Sequence, residues 1–186
     1  QICVSPEDDV ELRRITFTNQ SHSTRVIELT TYAEVVLASL GADAAHPAFS
    51  NLFVQTEFVP GSSAVLCTRR ARSKAERPPF LFHLMVGEGA DLGEVSCETD
   101  RSHFTGRGGS LTRPAAMQSA RPLSNSAGSV LDPIVSLRRT VTLKPHGTSV
   151  VEILLGAAES REAVLGLVEK YQTTRMADRA FDLAWT

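Results

Sequence analysis

The chain is short of the features that would settle its chemistry early. Aromatic residues make up 6% of it, as eight Phe, two Tyr and a single Trp. A platform that stacks on sugars or bases needs several exposed rings, so this composition argues against an aromatic binding face. Cysteine is scarce as well. Cys3, Cys67 and Cys97 are an odd set, far apart and without a CxxC pair. A disulfide framework normally uses an even set, so they read as reduced, mostly buried thiols of a cytosolic type. The five histidines form no HxH or HExxH pattern, and no metal centre or cofactor site is expected. A formal charge of −2 gives no global field to recruit nucleic acid or an anionic membrane. No apolar run approaches the ~20 residues that span a bilayer. The opening "QICVSPEDDVELRR" has neither the basic start nor the apolar core of a signal segment.

What is present suits one globular domain: 186 residues, 42% of them hydrophobic and 22% charged. The first two-thirds reads as β. In "VELRRITFTN", Val10 and Leu12 are out of phase with Ile15 and Phe17, so a bulge at Arg13–Arg14 is expected to bring both pairs to one face. "TRVIELTTYAEVVLA" alternates with period two and predicts a long half-buried strand, paired as a hairpin with the previous one across "NQSHS". "GADAAHPAF" reads as a loop, with Pro47 marking an extended or turn conformation at His46. "FSNLFVQTEF" and "AVLCTRR" predict a strand pair around "VPGSS". "RRARSKAERPP" predicts an exposed loop, and "FLFHLMV" a strand buried on both faces, broken by "GEGADLG" before "EVSCETD".

"RPAAMQSARPLSNSAGSVLDP" is long and irregular, and such segments are usually functional or packed over something. "IVSLRRTVTLKPHGTSVVEILLGAA" predicts a clean hairpin, with Val135, Leu137, Val141 and Leu143 on one face and Val151, Ile153 and Leu155 returning. The end turns helical. Val164, Leu167, Val168 and Tyr171 follow an N-cap at Ser160, then come Ala177, Ala180, Phe181 and Ala184, with Trp185 expected to dock the tail. The architecture predicted is an antiparallel β-sandwich over residues 1–158 with a C-terminal helical extension over 159–186.

The stretch richest in candidate chemistry is "CETDRSHFTGRGGSLTRP", Cys97 to Pro114. Asp100 and His103 could form an acid–base pair, and Arg101 and Arg107 could clamp a phosphate or sugar hydroxyls. Gly106, Gly108 and Gly109 would let backbone N–H groups approach a ligand. It is not a GxxxxGK[ST] phosphate loop. The structural reading is a turn in which Asp100 satisfies its own backbone and Arg101 pairs on the surface. Elsewhere, Arg69, Arg70, Arg72, Lys74 and Arg77 make a basic stretch without interleaved aromatics, hence a solvated loop. Ser62 and Ser63 lie in no GxSxG elbow. Glu28, Glu34, Glu57 and Glu152 sit on strands, where two converging carboxylates could hydrolyse a glycoside, although solvent-face charges are commoner. His22 and His146 fall at turn tips, and His83 reads as a satisfied core or interface histidine rather than a ligand.

Several segments together resemble a known family. "ELRRITFTNQSHSTRVIELTTYAEVVLA", "AAHPAFSNLFVQTEF", "ETDRSHFTGRG", "RPLSNSAGSVLDPIVSLRRTVTLKP" and "SREAVLGLVEKYQ…FDLAWT" are similar, in this order, to the sandwich domain of glycoside hydrolase family 94, formerly glycosyltransferase family 36. Within it the resemblance is greatest to the phosphorylase-like region of cyclic β-1,2-glucan synthases. It implies a galactose-mutarotase-like supersandwich, incomplete at its N-terminus, whose helical tail leads toward an (α/α)6 barrel. In that family the barrel supplies the general acid from a Gly-Asp-Trp-Asn-Asp-like motif that is absent here. The resemblance therefore implies a non-catalytic domain that packs on the barrel, makes dimer contacts and shapes a β-glucan site. Asp100, Arg101, Phe104, Gly106 and Arg107 are the substrate-binding candidates, with none of them catalytic. It also implies a parent enzyme in the bacterial inner membrane with this region on the cytoplasmic side, and a soluble fragment. A free-standing carbohydrate-binding module and a hydrolase with paired strand carboxylates remain the rival readings.

Overall fold

Alternation of side chains decides which strands can line a core on one face and which must line one on both. In the computed structural model, which describes residues 1–88 and 91–185, the chain runs β1 (Ile2–Val4), β2 (Val10–Thr18), β3 (Arg25–Thr30), β4 (Ala33–Glu34), α1 (Leu40–Ala45) and α2 (Pro47–Asn51). It continues β5 (Val54–Val59), β6 (Ala64–Arg69), β7 (Phe80–Glu88), β8 (Asp91–Leu92), β9 (Ser96–Asp100) and α3 (Arg101–Thr105). A 3₁₀ turn (Ala115–Gln118) precedes β10 (Gly128–Ser129), β11 (Pro133–Leu143), β12 (Thr148–Ala158), α4 (Arg161–Lys170) and α5 (Thr174–Ala184).

A seven-stranded sheet has the order β1-β2-β12-β7-β6-β5-β10. The five-stranded sheet is built on β11, whose Arg138 pairs with Thr30 of β3 on one side and Ser96 of β9 on the other. All named strand pairs are antiparallel, which agrees with the predicted sandwich. Residues 89 and 90 of "GEGADLG" lie outside the described residues.

The layers number three rather than two. Val10, Leu12, Phe82, Leu84 and Leu154 form one core with Val164, Val168 and Phe181 of the helices. Met85, Val135, Leu137, Val141 and Val151 form the other core, between the sheets. The large sheet is the middle layer and is apolar on both faces. This corrects the expected bulge at Arg13–Arg14. The β2–β12 register is unbroken from Thr18↔Thr148 to Val10↔Gly156, and the two out-of-phase pairs serve opposite faces. Val10 and Leu12 meet the helices, while Phe17 packs toward the other sheet. The reading of "FLFHLMV" as buried on both faces holds for the same reason.

Both predicted hairpins are also corrected. β2 and β3, and likewise β11 and β12, lie in different sheets, so "NQSHS" and "KPHG" are corners between layers. Asn19 braces the first corner by donating from Nδ2 to Ser23 O, Leu143 O and Lys144 O at 2.9, 3.2 and 2.9 Å. His146, at φ +53°, places its Nε2 2.8 Å from Nδ1 of His22, so the two corners touch. The long strand expected from Thr24 breaks at Thr31, whose Oγ1 lies 2.7 Å from His83 Nε2 and accepts from Leu137 N at 2.9 Å. "GADAAHPAF" is helical rather than a loop. Ser39 caps α1 through Ala42 N, and Pro47 starts α2, where its missing N–H costs nothing.

Ser160 caps α4 as expected, accepting from Ala163 N. Ala177, Ala180 and Phe181 seat α5, but Trp185 does not dock. It is 84% exposed, because the apolar stripe of α5 ends at Phe181. Beneath α5 the fully buried Glu152 accepts from Arg14 Nε at 2.7 Å, and Arg14 reaches on to Asp178 at 2.6 Å while lying 4.7 Å from the Phe181 ring centroid.

Candidate functional site

The loop after β9 is organised by its first residue. Asp100 Oδ1 accepts from Ser102 N at 2.8 Å and from Ser102 Oγ at 2.7 Å, which makes it the N-cap of the single turn α3. Phe104 is 4% exposed, with its ring centroid 4.9 Å from that of Tyr32. Arg101 donates to the Tyr32 hydroxyl at 3.1 Å and to Asp132 at 3.2 Å, and lies 3.4 Å from Glu34. Gly106 closes the turn at φ +81° and ψ 163°, a region open essentially to glycine. A Cβ there would sit 2.7 Å from the Ala115 Cβ. Arg107 follows on the outside, exposed, with no hydrogen bond or ion pair among the described residues.

The five sequence candidates are therefore together but not alike. Asp100, Phe104 and Gly106 hold the loop, Arg101 is partly occupied, and Arg107 alone extends free. The acid–base pair of Asp100 and His103 does not form, because Asp100 is spent on capping. His103 faces Ser126 Oγ at 3.4 Å and Glu98 at 3.7 Å instead.

Glu98 is the residue that sequence reasoning missed. It is 2% exposed, and its Oε1 accepts from Thr99 N and Asp100 N at 3.0 Å each. Ser124 Oγ donates to Oε2 at 2.6 Å and Ser126 Oγ donates to Oε1. The signal lay in "LSNSAG", where Ser124 and Ser126 flank Asn125, at φ +57°, and reach one carboxylate. Arg138, 4% exposed, binds the same irregular stretch through Ala116 O, Arg121 O and Ser119 O at 2.6, 2.7 and 3.1 Å. The stretch packs over β11, as its length predicted.

The strand carboxylates are committed. Glu28 pairs with Arg138 at 3.3 Å, Glu34 with Arg101, Glu57 with Arg161 at 2.5 Å and Glu152 with Arg14. The thiols are poor nucleophiles, since burial pushes Cys67 up to about 12 and Cys97 up to about 11. All three cysteines are free. Among the described residues no group of His, Cys, Asp and Glu could hold a metal, and no helix is long and apolar enough to cross a membrane. The arrangement offers donors for hydroxyl groups on a braced loop.

Two packed antiparallel sheets, with helices over the outer face of the larger one, define a β-sandwich domain with a third, helical layer. The chain belongs to the family of glycosyl hydrolase 94 supersandwich domains, whose model matches residues 1–174. It is 36% identical over 184 residues to the cyclic beta-(1,2)-glucan synthase NdvB of Rhizobium meliloti (strain 1021), covering 98% of this chain and 6% of that protein. It is 27% identical over 170 residues to the solabiose phosphorylase of Paenibacillus borealis, covering 91% of this chain and 21% of that protein. The chain thus spans a small part of each relative's length, as a supersandwich domain of enzymes of this family.

Proposed function

We propose that the domain serves a glucan-handling enzyme without catalysing its reaction. It packs beside a catalytic (α/α)6 barrel, toward which α5 leads, and presents the loop of Asp100 to Arg107 to a β-glucan. On this reading the parent enzyme belongs to the bacterial inner membrane, with this domain on its cytoplasmic side. The observation that carries the reading is the free Arg107 guanidinium on a turn whose backbone is already fixed by the Asp100 cap, the buried Phe104 ring and Gly106. A pre-ordered donor loses little freedom on binding, and a guanidinium presents five N–H groups to sugar hydroxyls. Arg101 contributes its exposed edge, while Asp100, Phe104 and Gly106 position the loop. The names of the relatives, a cyclic beta-(1,2)-glucan synthase and a solabiose phosphorylase, support the substrate class.

Calorimetric titration with linear β-1,2-glucooligosaccharides tests this reading. Hydrogen bonds to a charged group are worth about 1.5–3 kcal/mol, so Arg107→Ala is expected to weaken binding roughly 10- to 100-fold. Equal affinity in wild type and Arg107→Ala would remove the loop from the glucan contact. No saturation at millimolar sugar would show that the chain does not recognise glucan by itself.

A further inference from the structure

The elbow of α1 and α2 carries a feature that the glucan reading does not use. Four exposed large apolar residues, Val36, Leu40, Phe49 and Leu52, fall within one short stretch of chain. α1 buries none of its residues and α2 buries only Ser50. Helices of 6 and 5 residues have no stability of their own, yet these two turn their apolar side chains outward.

Charge collects at the same place. Phe49, 56% exposed, packs edge-on against Phe53 at 5.2 Å. Arg69, Arg70 and Arg72 surround the Phe53 ring, with guanidinium carbons 5.2, 5.7 and 5.1 Å from its centroid. Arg69 is 6% exposed, and its Nη1 is held by Ser50 O and Oγ, both at 3.0 Å. Among the described residues none of the three is in an ion pair, whereas Arg13, Arg14, Arg101, Arg138, Arg161 and Arg179 all are. Three like charges around one ring repel one another. Arg69 is offset by Ser50, and Arg70 donates to Leu52 O at 3.4 Å. The neighbouring Glu76 carboxylate accepts from the backbone N of Arg72 and, among the described residues, from none of the three guanidinium groups. A groove of about 470 Å³ opens beside them, and its charged lining is Arg69, Arg72 and Arg77 against the single carboxylate of Glu76. Aromatic rings and arginines at the centre of an aliphatic patch are the composition of a protein interface core.

We propose that this elbow is a docking surface for a protein face that sets Asp or Glu carboxylates around an apolar ridge. The occupant is the polypeptide adjoining this domain in the intact enzyme. Charge complementarity argues for the acidic rim. The relatives, of which this chain covers 6% and 21%, argue for an occupant in the same polypeptide. The inference rests on the reading of the chain as one domain of a larger enzyme, not on glucan recognition by Arg107.

Hydrogen exchange of the intact enzyme and of this chain alone, followed by mass spectrometry, tests it. Residues 40–53 and 69–79 are expected to exchange at least tenfold more slowly in the intact enzyme. That protection should vanish in Phe49→Asp and in Arg70→Glu/Arg72→Glu, with the unfolding temperature of the isolated chain unchanged. Equal exchange in both proteins, or protection that survives both variants, overturns the proposal. Protection of the isolated chain that grows with its concentration assigns the elbow to a second copy and overturns it as well. Loss of glucan binding in Arg107→Ala leaves this proposal standing, and absent protection leaves the glucan reading standing.

Discussion

His83 shows at the scale of one residue what the middle layer demands. Its ring is wholly enclosed between the sheets, with Nδ1 3.0 Å from Leu154 O and Nε2 2.7 Å from Thr31 Oγ1. Burial lowers its pKa from 6.5 to about 4. The unfolded chain therefore takes up a proton that the folded chain refuses, and stability falls as pH drops from about 6.5 toward 4. The loss across that window is of order 3 kcal/mol. Glu152, raised by burial, works in the opposite sense and gains stability as pH falls, so the comparison must be with a His83 variant. Urea unfolding at pH 7 and pH 5 is expected to show a larger drop for wild type than for His83→Gln, and equal drops would remove His83 as the source. That His83 is a satisfied core residue was legible from its apolar neighbours in "FLFHLMV". Its partner Thr31 was not, because nothing local marks the residue at which an edge strand breaks.

At the scale of elements, the strands were legible and their pairing only in part: "FSNLFVQTEF" and "AVLCTRR" pair as β5 and β6, whereas the two expected hairpins do not form. Period two and a turn signal look the same whether two strands pair or cross between layers. Val135, Leu137 and Val141 on one face with Val151 returning fit either case. What separates the cases is Asn19, whose amide serves carbonyls from both corners, and that contact spans 124 residues of sequence. The loop after β9 was legible in part. Its structural reading, a β-turn in which Asp100 satisfies its own backbone and Arg101 pairs at the surface, holds for both side chains, but the segment is one helical turn rather than a β-turn. The role of Glu98 depended on serines 26 and 28 residues further on.

Gly106 gives this element a direct check. Its backbone lies in a region that costs other residues about 1–3 kcal/mol, and Ala115 blocks a Cβ. Gly106→Ala is expected to lower stability by about 2 kcal/mol or to free the loop. Urea unfolding together with limited proteolysis between residues 101 and 118 reads both effects. A variant with the wild-type midpoint and no new cleavage would contradict the account of the turn.

For the whole molecule, the layered arrangement leaves the strand carboxylates no shared cleft. The helices cover one face of the large sheet, the second sheet covers the other, and the carboxylates that could have met in a cleft are each held by an arginine. Among the described residues, Arg107 on the loop, Arg70 and Arg72 beside Phe53 on the elbow, and Trp185 at the tail stand exposed at the periphery. Composition had already removed the metal, membrane-spanning and nucleic-acid classes from expectation. The supersandwich family rested on the order of several distinctive segments taken together, and the family match over residues 1–174 agrees with it.

The central claim is that glucan meets this domain at the loop of residues 100–107 and is not turned over there. An NMR titration of the isotope-labelled chain with linear β-1,2-glucooligosaccharide, recording both amide and sugar anomeric signals, tests it most directly. The account predicts saturable shifts confined to residues 100–109 and their Asp132 neighbourhood, with the sugar signals unchanged over time. Shifts centred on Trp185, or new reducing-end signals appearing beside the strand carboxylates, would contradict it.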